Sequence, residues 1–215
     1  MTGQAIFISG PIGAGKTTLG RAVATRLDGK FFDGDDYAVH SKPWYASSLS
    51  TNRRIADAVL SALRTERIAV VAYPLRQANY VYFRRRVTEA GHRVVFVTLR
   101  ASIKSILGPS RGRLFDADEE RRAAEMIQQG YADRPFSDLI VDTDIASFGE
   151  TVDMLLLKLQ ARNDSEVCFG ATADPRSTRY PPNTNTRERL HRRATVERAK
   201  SVPNFAEGLS KCWSG

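Results

Sequence analysis

The chain has 215 residues, with 32 basic and 24 acidic side chains and only two cysteines, Cys168 and Cys212. This length allows one domain with a hydrophobic core plus a tail, and two cysteines late in the chain do not make a disulfide framework. No run approaches the roughly 18 apolar residues that span a bilayer, and the N-terminus lacks a secretory signal pattern. We therefore expect a cytoplasmic protein.

The basic excess is divided between two unlike parts of the chain. Residues 1–162 carry a net charge of +5 and residues 163–215 carry +3. The first part alternates apolar runs with amphipathic stretches, whereas the second is rich in Pro, Ser, Thr, Asn and Arg. We predict a folded domain over 1–162 and a basic, flexible C-terminal tail over 163–215. A basic stretch at 186–200 leaves nucleic acid open as an alternative partner for the tail.

Short apolar runs alternate with helical periodicity along the first part of the chain. The predicted strands are 4–9, 31–32, 68–72, 94–99 and 139–141. The predicted helices are 17–27, 52–63, 78–90, 117–129 and 147–161. Continuously apolar strands that alternate with helices are typical of a parallel sheet covered on both faces. The sequence thus predicts an α/β fold of three layers, αβα, with a five-stranded parallel sheet and ligands at the carboxyl ends of the strands.

A glycine-rich loop joins the first predicted strand to the first predicted helix. Residues 10–17 (GPIGAGKT) fit the phosphate-loop (P-loop) pattern GxxxxGK[ST] without mismatch. Its glycines let backbone N–H groups point at a phosphate, and the Thr17 hydroxyl suits Mg²⁺. The alternative is an ordinary glycine-rich turn. We predict ATP and Mg²⁺ as cofactors, and the predicted nucleotide ligands are Gly10, Gly13, Ala14, Gly15, Lys16, Thr17 and Thr18.

Two carboxylates on alternate residues, Asp33 and Asp35, follow the second predicted strand and flank Gly34. Transfer of a phosphoryl group to a hydroxyl needs charge neutralisation and an acceptor for the hydroxyl proton. Of two carboxylates at a strand end, one can serve the metal and the other can accept the hydroxyl proton. The alternative is a solvated acidic turn that caps a helix.

The loop GPIGAGKTT followed by the run FFDGDD resembles the P-loop kinases that phosphorylate gluconate, shikimate or adenylylsulfate. This resemblance implies that Asp33, with Thr17, serves the metal by holding a Mg²⁺-bound water. It implies that Asp35 binds the acceptor hydroxyl and acts as its base, and that the loop at 138–144 passes near the adenine. The segment after the aspartates is shorter than in gluconate kinases and lacks the DGDNxR of adenylylsulfate kinases, so the acceptor stays unassigned.

Arginines near the predicted strand ends are candidates for binding phosphate and acceptor, because a guanidinium fork matches such oxygens. Arg111 and Arg113 lie in 109–120, where the resembling kinases carry a lid. We predict Arg111 as a nucleotide ligand and Arg113 as catalytic. The predicted acceptor-binding residues are Asp33, Asp35, Arg53, Arg54 and Arg76, with Trp44 and Tyr45 as walls of the pocket.

The leading hypothesis is an ATP-dependent kinase that transfers the γ-phosphate to a hydroxyl of a small polar metabolite. Its catalytic residues are Lys16, Asp35 and Arg113, and the basic balance favours an anionic acceptor. A nucleoside, nucleotide or polynucleotide 5′-hydroxyl kinase is the runner-up. A nucleotide-gated protein that binds nucleic acid through its tail is the alternative from a different class.

Overall fold

A computed structural model describes residues 2–38, 44–109 and 112–170, without the side chains of 44–47 and 165–170. The chain divides into two units, Met1–Cys168 and Phe169–Gly215, and nearly all described residues belong to the first. The predicted tail lies outside the described residues from 171 onward. Its boundary at 162 and its nature therefore stay predictions.

A five-stranded parallel sheet forms the centre of the first unit. Its strands lie in the order β2-β3-β1-β4-β5. They are β1 (Gln4–Ser9), β2 (Lys30–Asp33), β3 (Ile68–Ala72), β4 (Arg93–Arg100) and β5 (Leu139–Asp142). All four strand pairs are parallel. All six residues of the central strand β1 are buried, as expected for a strand covered on both faces. The predicted α/β fold is confirmed.

Helices cover both faces of this sheet. They are α1 (Lys16–Arg26), α2 (Trp44–Ala62), α3 (Gln77–Glu89), α4 (Ile103–Ile106), α5 (Ala117–Gln128) and α6 (Phe148–Gly170), with a 3₁₀-helix at Gly34–Tyr37. One apolar cluster joins α2 and α3 to the sheet around Phe7, Phe83 and Phe96. A second joins α1 and α6 to the opposite face, with Val23 and Leu155 fully buried.

Two helices are longer than the sequence predicts. Helix α2 begins at Trp44 rather than near 52. The segment 44–51 (WYASSLST) was not predicted as helical because it is rich in Ser and Thr, which are weak helix formers. Helix α6 continues to Gly170 instead of ending near 161. Among the described residues, no helix combines the length and the apolar character needed to cross a bilayer.

Candidate active site

The phosphate loop occupies the turn between β1 and α1, and its conformation depends on glycine. Gly13 and Gly15 have φ angles of 77° and 91°, in the left-handed region that favours glycine. A Cβ on Gly13 would lie 2.6 Å from Ile106 Cγ2 and 2.7 Å from Phe115 Cζ. Gly15 is the N-cap residue of α1 and has no side chain to cap the helix, so the first-turn N–H groups are suited to an anion.

Lys16 is a partly buried cation at the start of α1. Its Nζ donates a hydrogen bond to the carbonyl oxygen of Pro11 at 2.8 Å, within the loop itself. Burial lowers the pKa of Lys16 to about 8; the charges of Asp35 and Asp33 oppose this change, and Arg113 adds to it. A lysine whose charge is this poorly solvated gains from an anionic partner such as a phosphate.

Asp33 links the phosphate loop to the turn after β2. Its Oδ2 accepts a hydrogen bond from the Thr17 hydroxyl at 3.0 Å, and its Oδ1 accepts one from the Asp35 N–H at 3.2 Å. Asp33 therefore caps the 3₁₀-helix and also contacts the phosphate loop, and its role toward a metal stays a prediction. Asp35 is exposed on that 3₁₀-helix.

The oxygens of Thr17 and Asp33 fit a magnesium ion that arrives with a nucleotide. Mg²⁺ prefers hard oxygen ligands and is commonly held by one or two carboxylates plus substrate phosphates, with water completing its shell. Within the described ranges, no group of three or more His, Cys, Asp or Glu is placed to hold a metal ion. The chemistry of this donor set thus matches Mg²⁺ shared with phosphate.

An open cavity of about 770 Å³ lies over the phosphate loop, within the range of roughly 300–1,000 Å³ for small-molecule sites. Asp35 and Arg113 line it from two sides, and Phe148 lines it from the start of α6. The Thr143 hydroxyl donates to the carbonyl oxygen of Ala14 at 3.2 Å, which ties the loop after β5 to the phosphate loop. This loop, which the resemblance places near the adenine, therefore reaches the cavity.

The structure brings only some of the predicted site residues together. Residues 13–18, Asp35 and Arg113 line this cavity, whereas Gly10 and Asp33 are not among its lining residues. Arg53 and Arg54 are exposed on α2, and their binding roles stay predictions. Arg111 lies outside the described residues, as do the side chains of Trp44 and Tyr45.

Arg76 belongs to a group of side chains that the sequence only partly indicated and that lies outside the lining of this cavity. Its Nε donates to the Tyr131 hydroxyl at 2.7 Å, and the Arg134 guanidinium carbon lies 3.8 Å from the centre of the Tyr131 ring. Burial lowers the pKa of Arg134, and its buried Nε has no hydrogen-bond acceptor among the described residues. Two arginines thus converge on one tyrosine.

Tyr73 connects this arginine group to the carboxylates. Its pKa is raised by burial, and then by the charge of Asp35 and by Tyr131. Its ring packs so closely on Gly34 that no side chain would fit at that glycine. Tyr73, Tyr131 and Arg134 were missed by the sequence reasoning; the only available signal was their place in the loops that flank strands β3 and β5.

A buried pair of asparagines holds Arg76 in place. The Asn79 side-chain oxygen accepts a hydrogen bond from the Arg76 backbone N–H at 2.8 Å, and its Nδ2 donates to Asn52 Oδ1 at 3.1 Å. Asn52 and Asn79 are 6% and 8% exposed, so their polar groups depend on each other. This network fixes the start of α3.

Solved structures with the same fold are known. A gluconokinase from Sinorhizobium meliloti is 19% identical, with a TM-score of 0.58 over 79% of this chain and 98% of that one. A shikimate kinase from Acinetobacter baumannii, in complex with shikimate, is 17% identical, with a TM-score of 0.54 over 75% and 95%. A hexameric APS kinase from Thiobacillus denitrificans is 22% identical, with a TM-score of 0.52 over 75% and 29%. The chain has the fold of the P-loop small-molecule kinases.

One curated protein is similar in sequence to a short segment of this chain. A shikimate kinase from Burkholderia lata is 67% identical over 30 residues, which span 14% of this chain and 16% of that protein. No model of a known protein family matches the chain. The P-loop kinase fold is therefore established by the structure, whereas the acceptor is not fixed by any of these relatives.

Proposed function

We propose that the protein is an ATP-dependent kinase that transfers the γ-phosphate to a hydroxyl of a small polar metabolite. The observation that carries this proposal is the cavity over the phosphate loop, which Lys16, Asp35 and Arg113 line together. The P-loop kinase fold and the short similarity to a shikimate kinase support it.

In the proposed reaction, this chain mainly positions the reactants and neutralises charge. The loop N–H groups and Lys16 hold the phosphates, and Arg113 neutralises charge that develops on the transferred group. Mg²⁺, held near Thr17 and Asp33, supplies further charge neutralisation when bound. The acceptor oxygen bonds to the γ-phosphorus, the bond from that phosphorus to the ADP oxygen breaks, and Asp35 receives the hydroxyl proton.

The acceptor proposed for this site is an anion. Arg76 and Arg134 meet at Tyr131, and Tyr73 lies within electrostatic range of both Asp35 and Tyr131. A carboxylate or phosphate on the substrate would present paired oxygens of the kind that an arginine fork binds.

ADP release over a panel of hydroxylated acceptors tests the proposal. The panel includes gluconate, shikimate and adenylylsulfate, their uncharged analogues, nucleosides and a 5′-hydroxyl oligonucleotide. We expect turnover with one class of anionic metabolite and none with Lys16→Ala, which removes the phosphate partner. Arg76→Ala should raise the KM of the acceptor more than that of ATP.

Two results would contradict this function. No acceptor-dependent ADP release across the panel, in protein that binds ATP, argues against a metabolite kinase. Turnover with the oligonucleotide alone, lost at high salt, favours the polynucleotide kinase instead.

A further inference from the structure

Arg113 faces the phosphate loop but already has an anionic partner. Its Nη2 forms a short ion pair with Glu119 Oε1, and its guanidinium carbon lies 4.8 Å from the centre of the Phe115 ring. Arg113, Phe115 and Glu119 all line the cavity that contains Lys16. A carboxylate therefore stands in the part of the site that suits phosphate.

The position of Glu119 is fixed by the start of α5. Asp116 is the N-cap residue of this helix, and its side chain accepts a hydrogen bond from the Glu119 backbone N–H at 2.8 Å. Phe115, the residue before the cap, packs against the phosphate loop, where its Cζ would be 2.7 Å from a Cβ on Gly13. The ion pair is thus anchored on both sides, by a helix cap and by an aromatic contact.

We propose that Glu119 is a positioning residue that holds Arg113 beside the phosphate loop and gives it up to the terminal phosphate of ATP. This role rests on the proposed function of the site. The carboxylate and the terminal phosphate compete for one guanidinium fork, since both present paired oxygens to it. Arg113 must break its ion pair with Glu119 to bind the terminal phosphate, and this cost weakens the binding of ATP. The binding of ADP is affected less because ADP lacks that phosphate.

The neighbouring residue offers a matched control. Asp118 is also in the first turn of α5, but its side chain is 82% exposed and pairs with Arg121 at 2.7 Å. Asp118→Asn and Glu119→Gln therefore remove the same charge from the same helix end, and only the second releases Arg113. Any effect through the helix dipole or overall charge is common to both variants.

The experiment is calorimetric titration of a non-hydrolysable ATP analogue and of ADP, with Mg²⁺ and without acceptor. The proteins are the wild type, Glu119→Gln, Asp118→Asn, Arg113→Gln and the double variant Arg113→Gln/Glu119→Gln. We expect Glu119→Gln to bind the ATP analogue about two- to fivefold more tightly, the range that a partly exposed ion pair carries. We expect the affinity of Glu119→Gln for ADP to stay within error of the wild type. We expect Asp118→Asn to bind both nucleotides as the wild type does. In the Arg113→Gln background, Glu119→Gln should not change the affinity for the ATP analogue.

Several outcomes would overturn the role of Glu119. The first is that Glu119→Gln binds the ATP analogue as the wild type does, or more weakly. The second is that Asp118→Asn increases the affinity for the analogue equally. The third is that Glu119→Gln still increases this affinity in the Arg113→Gln background. If the variants give any of these results while the wild type still binds the ATP analogue, the proposed function of the site stands. A wild type that binds neither nucleotide overturns the function and this role together.

Discussion

The two sides of the candidate site are built in different ways. On the nucleotide side, nine consecutive residues, 10–18, form the loop and the start of α1. On the proposed acceptor side, Asp35, Arg76 and Arg134 come from three distant segments. Arg76 and Arg134 meet at Tyr131, and Asp35 influences Tyr73 electrostatically. The first side is therefore specified locally, and the second depends on long-range packing.

Because of this difference, we assign the two sides of the site to different substrates. A local loop of backbone N–H groups binds phosphate chains. In the proposed function, the side chains gathered from distant elements select the acceptor by their charge and spacing. We therefore expect substitutions on the two sides to have separable effects on the two substrates.

The largest expected effect lies where the two sides meet, at Asp35. Asp35→Asn should lower kcat by about 10²–10⁴-fold because the hydroxyl proton loses its acceptor. The affinity for ATP should stay within about twofold, the precision of an ordinary binding titration. Asp36→Asn, an equally exposed neighbour on the same 3₁₀-helix, is the control and should retain its kcat. Lost ATP binding with an unchanged kcat would show that Asp35 is not the base.

Gly13→Ala tests the backbone basis of the nucleotide side. Gly91 has a similar φ of 79° but no atom within 4 Å of its Cβ position, so Gly91→Ala measures backbone strain alone, about 1 kcal/mol. Gly13→Ala should lose an additional 1–3 kcal/mol or so of unfolding free energy through its clash with Phe115 and Ile106. Urea unfolding of both variants measures the difference. Equal losses would mean that the contact with Phe115 is easily displaced.

Asn79→Ala tests the long-range basis of the acceptor side. It leaves the buried Asn52 amide and the Arg76 N–H without their partner, so unfolding free energy should fall by about 1–3 kcal/mol. The acceptor KM should rise, while nucleotide affinity should not change. Gln77→Ala, at an exposed position in the same helical turn, serves as the control. A change in nucleotide affinity for Asn79→Ala would contradict the separation of the two sides.

The smallest effect is a pH dependence of nucleotide affinity. With a pKa of about 8 before binding, Lys16 is mostly charged at pH 7, and phosphate raises its pKa in the complex. Affinity should be flat below about pH 7.5 and fall by up to about tenfold per pH unit above pH 8, with a proton taken up on binding. Calorimetry in buffers of different ionisation enthalpy measures that uptake. Lys16→Arg should flatten the profile, and a flat wild-type profile would contradict the low pKa.

Features with a local signal were predictable from the sequence. The order of strands and helices, the loop at 10–17 and the carboxylates at the end of β2 follow from apolar periodicity and from a contiguous motif. The start of α2 at Trp44 was missed, because the Ser-rich segment before Asn52 has weak helical propensity.

The acceptor side was predicted only in part for a related reason. Arg76 was found because it follows a predicted strand, but nothing local marks Asn52 and Asn79 as partners across 27 positions. Tyr131 and Arg134 likewise have no local signal, because Tyr131 contacts Arg76 and Arg134 only in the folded chain, where this loop lies between α5 and β5. Glu119 looked like one acid among several at the start of a helix, and only its contact with Arg113 distinguishes it.

The hydrogen bond from Thr17 to Asp33 has a geometric consequence. The phosphate loop follows β1 and the carboxylates follow β2, and β3 lies between these two strands. Neighbouring strands are about 4.8 Å apart, so the end of β1, which carries the phosphate loop, and the end of β2, which carries the carboxylates, are separated by about 10 Å. The Thr17 hydroxyl closes part of that gap by meeting Asp33 at 3.0 Å. The intervening strand β3 thus sets how far a side chain of the phosphate loop extends to contact the carboxylates after β2.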